Sequence, residues 1–241
     1  MNNCLLTGKN VLITAGPTRE PIDPVRYISN HMGGRMGYDL AAFMLQQGAR
    51  VFLVSGPVKV DITHPMLTVV KVNTASEMYL ACCKFFEDAN IAIFAAAVSD
   101  YRPKVISSKK IINEDDSFTV KMVKNIDIAG AFAKVKRFNQ FTVGIATETD
   151  GDMQRAMQKM EKKNFDMMIV NSLIAEDINY GFDLNSISVL KSDNTIEQLT
   201  IKPKAAVVKD IVTAISKMFN HKQPGAYNHQ ANQSNSQSLM A

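Results

Sequence analysis

The chain has 241 residues, with 27 Lys and Arg against 23 Asp and Glu for a formal net charge of +4. That length suits one large α/β domain, no apolar run approaches the roughly 18 residues needed to cross a bilayer, and the amino terminus lacks the pattern of a secretory leader, so a cytoplasmic protein is expected. Cys4 and the adjacent Cys82 and Cys83 exclude a disulfide framework, the scattered His31, His64, His221 and His229 argue against a tight transition-metal site, and the small charge excess argues against a nucleic-acid-coating surface.

In chain order, apolar runs of strand length recur with helical stretches between them, the signature of a parallel sheet wrapped by helices. Residues 10–15 predict the first buried strand, 38–47 a helix, 51–55 a strand, 67–72 a strand and 75–88 a helix. Residues 91–98 (IAIFAAAV) predict a central strand buried on both faces. The span 100–116, with Pro103, paired serines, Lys109-Lys110 and an acidic cluster, reads as an exposed loop. Alternation returns at 118–123, followed by a helix over 127–136, a strand at 141–146, a lysine-rich amphipathic helix at 152–163 and a strand at 167–170. The β runs 186–190 and 195–201 flank Ser192-Asp193-Asn194, a hairpin signal, and 205–219 predicts the last helix. The division expected is a domain over 1–219 and a disordered polar tail over 220–241, too poor in apolar residues to bury itself.

The segment 13–37, ITAGPTREPIDPVRYISNHMGGRMG, carries the most chemical information. A strand ending at Thr14-Ala15-Gly16 lies at the carboxyl edge of a parallel sheet, where open α/β sheets bind ligands. Gly33, Gly34 and Gly37 then sit around the start of the next helix, where glycine lets backbone N–H groups approach a phosphate. Arg19, Arg26 and Arg35 surround this loop and could fork onto phosphate or carboxylate oxygens. The spacing is not the Gly-x-Gly-x-x-Gly dinucleotide fingerprint, and Tyr101-Arg-Pro-Lys104 is one residue short of a Tyr-x-x-x-Lys pair, which leaves a nicotinamide-dependent reductase as a weaker alternative.

The same segment, with LVSGP at 53–57, AAAVSDYRP at 95–103 and KMVKN at 121–125, resembles the bacterial type of phosphopantothenate-cysteine ligase, in order and with compatible spacing over about 9–218. The resemblance implies a Rossmann-like, mostly parallel α/β sheet with helices on both faces and a small β extension for dimerisation, supplied by 186–201 or 118–123. It implies a free-standing ligase without the flavin-dependent decarboxylase to which the family is often fused, so no flavin is expected and a separate decarboxylase is a possible partner. The activity implied is in coenzyme A biosynthesis: the carboxylate of 4′-phosphopantothenate attacks the α-phosphate of CTP, pyrophosphate leaves, and the amine of L-cysteine displaces CMP. Mg2+ is expected to accompany the nucleotide; no nucleic acid or membrane is expected as a partner.

Carried over residue by residue, the resemblance makes Asn30 the amide that holds the acyl intermediate and Lys110 the flap lysine that counters charge at the α-phosphate. The family's Lys-x-Lys-Lys is here Lys110-Ile111-Ile112-Asn113, and Lys109 could share the role. Gly16, Arg26, Gly33, Gly34, Ala96 and Ala97 are implied to meet the substrate, Arg26 through its phosphate and across a dimer interface. Asp100, Lys110, Ile126, Asp127, Ile128, Ala129, Ile145, Lys159 and Lys163 are implied to meet the nucleotide. Ile126 replaces a family proline, Ile145 a base-packing phenylalanine, and Val170-Asn171-Ser172 an Ala-Asn-Asp; the Gly181-Phe182 pair is kept. These departures keep a second reading open, a nucleotide-binding regulatory relative with impaired catalysis.

Overall fold

The computed structural model describes residues 4–112, 117–149, 153–173, 184–193 and 195–222. Strands β1 (Asn10–Ala15), β4 (Arg50–Ser55), β5 (Leu67–Lys71), β6 (Ile91–Phe94), β9 (Phe141–Thr149) and β10 (Met167–Leu173) run parallel, and β11 (Leu184–Lys191) and β12 (Ile196–Pro203) add an antiparallel hairpin. The eight lie in the order β12-β11-β10-β9-β6-β1-β4-β5. Helices α1 (Arg35–Gln46) and α5 (Lys204–Lys222) cover one face; α2 (Ala75–Phe86), α3 (Ile128–Ala133) and α4 (Met153–Lys162) cover the other.

The central strands are apolar throughout because alternate side chains face alternate cores. Val11, Ile13, Ile91, Ile93, Phe141 and Val143 pack toward α1 and α5, while Leu12, Ala92 and Phe94 pack toward α2, α3 and α4. Phe132 of α3 gathers Tyr79, Phe86 and Phe94, with ring centroids 5.5, 4.4 and 6.1 Å away. Helix α2 starts at a capping box in which the Thr74 hydroxyl accepts the Glu77 N–H and the Glu77 carboxylate takes backbone N–H in return. At the amino ends of the strands, Asp166 holds two ammonium groups, Lys136 at 2.8 Å and Lys222 at 2.6 Å, and accepts the Thr142 N–H at 2.7 Å. Burial pushes the Lys136 pKa down, and the Asp166 carboxylate only partly offsets that.

Several expectations are corrected. Three short strands were not foreseen, β2 (Arg19–Pro21), β3 (Tyr27–Ser29) and β7 (Tyr101–Pro103): β2 pairs with β3, and β7 pairs with β8 (Met122–Lys124). The strand expected over 118–123 therefore shrinks to β8 and joins a separate ribbon. The strand expected over 91–98 leaves the main ladder after Phe94, because the chain turns to run beside Pro17, with a single Pro17–Ala97 bridge. The hairpin signal is met by β11 and β12, yet they continue the main sheet rather than standing apart from it. Helix α5 runs to Lys222, beyond the expected boundary at 219, and the rest of the expected tail, together with Asp152, Asn194 and 179–182, lies outside the described residues. No helix among the described residues is long and apolar enough to cross a membrane.

Candidate active site

Strand order reverses between β1 and β6, so their carboxyl ends open a crevice that neither neighbour's connection covers. Gly16 leaves β1 with φ +75° and Gly34 caps α1 with φ +73°, a left-handed conformation that L side chains rarely adopt. The two backbones also touch: a Cβ on Gly34 would lie 2.6 Å from the Gly16 Cα, whereas one on Gly33 would meet nothing within 4 Å. Gly34 brings no side-chain cap to α1, so the N–H groups of its first turn are left to solvent or a ligand.

Asn30, just beyond β3, donates from Nδ2 to the Ala97 carbonyl at 2.9 Å. Ala97 N–H in turn donates to the Gly16 carbonyl at 3.0 Å. Asn30, Ala97, Gly16 and Gly34 therefore form one cluster, with Ala96 beside it donating its N–H to the Thr14 hydroxyl at 3.3 Å. Two threonines that the sequence reading passed over shape this cluster. Thr14 holds Ala96, and fully buried Thr18 accepts the Ser99 N–H on its hydroxyl at 3.1 Å and the Ser29 hydroxyl on its carbonyl at 2.8 Å. Thr14 lies near the end of β1 and Thr18 in the connection to β2, where the backbone leaves the ladder and needs other partners.

A second group lies beyond β6. The Asn125 side chain donates to the Ser99 carbonyl at 3.1 Å and its backbone N–H to the Asp100 carbonyl at 2.7 Å, so the stretch carrying exposed Asp100 fixes the entry to α3. Asp127 caps α3, accepting the Gly130 N–H at 3.0 Å and the Lys163 ammonium at 2.9 Å. Burial raises the Asp127 pKa, but Lys163, the Gly130 N–H and Lys162 outweigh it, leaving the carboxyl below its usual range. Lys159 lies one turn before Lys163, whose N–H bonds the Lys159 carbonyl at 3.0 Å. Ile126 and Ala129 pack onto the α2–α3–α4 core and Ile128 is buried within it, so their side chains support the turn rather than line a cleft. Ile145 packs toward α1 and α5, on the opposite sheet face from these residues.

The three arginines expected to ring the glycine loop are engaged elsewhere. Arg19 lies 4.6 Å over the Tyr27 ring and Arg35 faces Asp39 at 3.5 Å. Arg26 turns away from the Asn30 cluster, donating to Asp23 from Nε and Nη2 at 3.0 and 2.6 Å and from Nη2 to the Ile111 carbonyl at 2.9 Å. Lys110 is exposed on the segment so anchored. Beside the glycine loop, a cavity of about 510 Å³ opens between Val58, Asp61, Lys71, Asn73 and Glu77.

Residues 6–219 match the model of the DNA/pantothenate metabolism flavoprotein C-terminal domain. The chain belongs to that family. It is 41% identical over 218 residues to the coenzyme A biosynthesis bifunctional protein CoaBC of Vibrio vulnificus strain CMCP6, covering 90% of this chain and 54% of that one. It is 40% identical over 210 residues to a prokaryotic protein named cysteine/cysteine sulfinic acid decarboxylase, covering 87% of this chain and 58% of that one. Among solved structures it resembles the C-terminal domain of a coenzyme A biosynthesis bifunctional protein CoaBC, with 32% identity, a TM-score of 0.76 and coverage of 91% and 100%. The chain thus spans little more than half the length of these two curated relatives.

Within this family domain, the residues that hydrogen bonds and backbone contact bring together at the crevice are Gly16, Asn30, Gly34, Ala96 and Ala97. Exposed Cys4 and Cys83 are not among them, and Cys82 is buried in the α2 core.

Proposed function

We propose that this domain joins 4′-phosphopantothenate to L-cysteine at the expense of CTP. The observation that carries the reading is the Asn30 amide seated on the Ala97 carbonyl, beside the Gly16–Gly34 backbone contact, at the carboxyl ends of β1 and β6. Similarity to the coenzyme A biosynthesis bifunctional proteins supports the same reading.

In the first step a carboxylate oxygen of phosphopantothenate bonds to the α-phosphorus of CTP, and the Pα–O bond to pyrophosphate breaks. In the second, the cysteine amine bonds to the acyl carbon, the acyl–phosphate bond breaks, and CMP and a proton leave. Neither step needs a histidine base; both need donors fixed around oxyanions. The bare backbone of Gly33, Gly34, Ala96 and Ala97 admits the substrate, and Asn30, with an amide that both donates and accepts, holds the mixed anhydride without adding charge. Lys110, with Lys109, meets the α-phosphate, and Lys159 and Lys163 meet the triphosphate, which would draw Lys163 from Asp127. Among the described residues no three His, Cys, Asp or Glu side chains come together, which fits a Mg2+ carried by the nucleotide phosphates with Asp100 as an available carboxylate. A Mg2+ so held would supply charge to offset the pyrophosphate leaving group.

We extend the proposal to a cytoplasmic homodimer, paired through the β12 edge or the β7–β8 ribbon, working with a phosphopantothenoylcysteine decarboxylase. The functional unit proposed is 1–219. The test is incubation of pure protein with phosphopantothenate, cysteine, CTP and Mg2+. CMP and pyrophosphate released in equal amounts with amide formation are expected; no turnover with CTP or ATP would sink the reading.

A further inference from the structure

The turn 22–26 and the segment 107–111 lie far apart in sequence yet close a single set of bonds. Asp23 is 3% exposed, and both its carboxylate oxygens are occupied. Oδ1 accepts the Val25 and Arg26 N–H groups, each at 2.8 Å. Oδ2 accepts Arg26 Nε at 3.0 Å, Arg26 Nη2 at 2.6 Å and the Ile111 N–H at 3.1 Å. Arg26 Nη2 then donates to the Ile111 carbonyl at 2.9 Å, so Ile111 is gripped by both of its backbone groups. A second attachment runs from the Ser107 N–H to the Ile22 carbonyl at 3.0 Å. Lys109 and Lys110 lie between the two anchors. The Ser107 hydroxyl folds the chain between them, donating to the Lys109 carbonyl at 2.5 Å and accepting its N–H at 3.3 Å.

We propose that Asp23 is a positioning residue for the nucleotide-consuming step: with Arg26 it latches Ile111 and so fixes Lys109 and Lys110 relative to Asn30. This rests on the ligase reading above. The link to Asn30 is short, since β3 leaves the turn directly after Arg26 and delivers Asn30 to the Ala97 carbonyl. An untethered loop would have to be ordered each time its lysines met a phosphate, whereas a latched one has lost that freedom on folding. A buried carboxylate is a costly staple unless its donors converge, and here five N–H groups do. The Arg26 guanidinium, opposed by burial and aided by the Val25, Arg26 and Ile111 N–H groups, holds the Asp23 carboxyl well below the usual carboxylate range, so the latch stays ionised at neutral pH. In this arrangement the Arg26 charge serves the flap, which accounts for its absence from the Asn30 cluster.

The chemistry of the two carboxylate oxygens supplies a selective variant. In Asp23→Asn the amide Oδ1 keeps the Val25 and Arg26 N–H groups and hence the turn, while Nδ2 replaces Oδ2 and faces only donors from Arg26 and Ile111. Two measurements are made on the full chain: tryptic nicking after Lys109 and Lys110, followed by mass spectrometry, and pyrophosphate release with cysteine omitted. Nicking is expected to accelerate about tenfold, because it tracks local opening. The rate constant for pyrophosphate release is expected to fall about tenfold with the KM for CTP within about twofold, and the Asp23→Asn, Lys110→Gln double variant to be no slower than Lys110→Gln alone. Should Asp23→Asn fail to fold, Arg26→Lys keeps the positive charge but loses the planar fork that spans the Asp23 carboxylate and the Ile111 carbonyl, and carries the same expectations. Unchanged nicking, or additive losses in the double variant, would overturn the latch. A wild-type chain that releases no pyrophosphate would overturn the ligase reading instead, and the nicking comparison would still decide whether Asp23 holds the segment.

Discussion

Gly34→Ala, set beside Gly33→Ala, tests the crevice geometry with two adjacent methyl groups. At Gly34 the methyl enters at φ +73° and 2.6 Å from both the Gly16 Cα and the Val58 Cγ1, with the Gly16 nitrogen at 2.9 Å. The left-handed backbone costs about 1–2 kcal/mol for a residue with a Cβ, and relieving contact with main chain adds about 1–3 kcal/mol, for a total of about 2–5 kcal/mol. For a domain of this size that corresponds to a midpoint lowered by about 4–20 °C in a thermal melt followed by circular dichroism. Because the Gly16 carbonyl holds the Ala97 N–H, and the Ala97 carbonyl holds Asn30, the displaced backbone also disturbs the amide. Gly33→Ala has open space and an unconstrained φ, so its stability should stay within about 0.5 kcal/mol of the wild type. Its methyl meets something only when a ligand is bound, and the expected change is a raised KM for phosphopantothenate. Equal stabilities for the two variants would refute the argument, since it depends on the Gly16–Gly34 contact existing as described.

Three further expectations follow from single side chains. Asn30→Asp should still release pyrophosphate but stall before amide formation, so that the acyl nucleotide accumulates in a quenched reaction analysed by mass spectrometry; normal amide production would remove Asn30 from the mechanism. Asp166→Asn leaves Lys136 and Lys222 sharing one neutral oxygen, and should cost about 3 kcal/mol in chemical denaturation while sparing the KM values, because the cluster sits at the far end of the sheet from the crevice. Cys82 is buried, and burial, with Cys83 adding, pushes its thiol up to about 12. In a thiol-reagent titration near pH 8, Cys4 and Cys83 should react in the native protein and Cys82 only after denaturant is added; three thiols reacting before unfolding would contradict the packing of α2.

The main sheet was legible because its strands announce themselves. Runs such as Ile91–Phe94 are apolar at every position, which only a strand covered on both faces requires. The ribbons were not legible, since Arg19–Pro21 and Tyr101–Pro103 are three residues long, polar, and paired with partners that no local pattern names. The facing of Ile145 is legible from β9 itself: Phe141 and Val143 face α5, and two-residue periodicity sends Ile145 to the same side. Arg26 is the opposite case. Its pairing with Asp23 is a local contact within one turn, but the Ile111 end of the latch joins segments that only the fold brings together.

The four residues 97–100 tie together the two clusters that the proposed reaction would use. The Ala97 carbonyl carries Asn30, the Ser99 N–H is held by Thr18, and the Ser99 and Asp100 carbonyls carry Asn125, from which the turn into Asp127 departs. Substrate-side and nucleotide-side groups are therefore spaced by a short piece of hydrogen-bonded main chain rather than by long side chains. Main chain so fixed has already lost its conformational freedom on folding, which is what an acyl transfer between two bound molecules needs for its reacting atoms to stay aligned. The lysines differ in kind, because a flexible four-carbon stem can follow phosphate as charge moves from substrate to leaving group. In the proposed reaction, a rigid 97–100 bridge with pliant cations at its rim would divide the work: the backbone would set where the carboxylate meets the α-phosphate, and Lys110, Lys159 and Lys163 would answer the charge that moves.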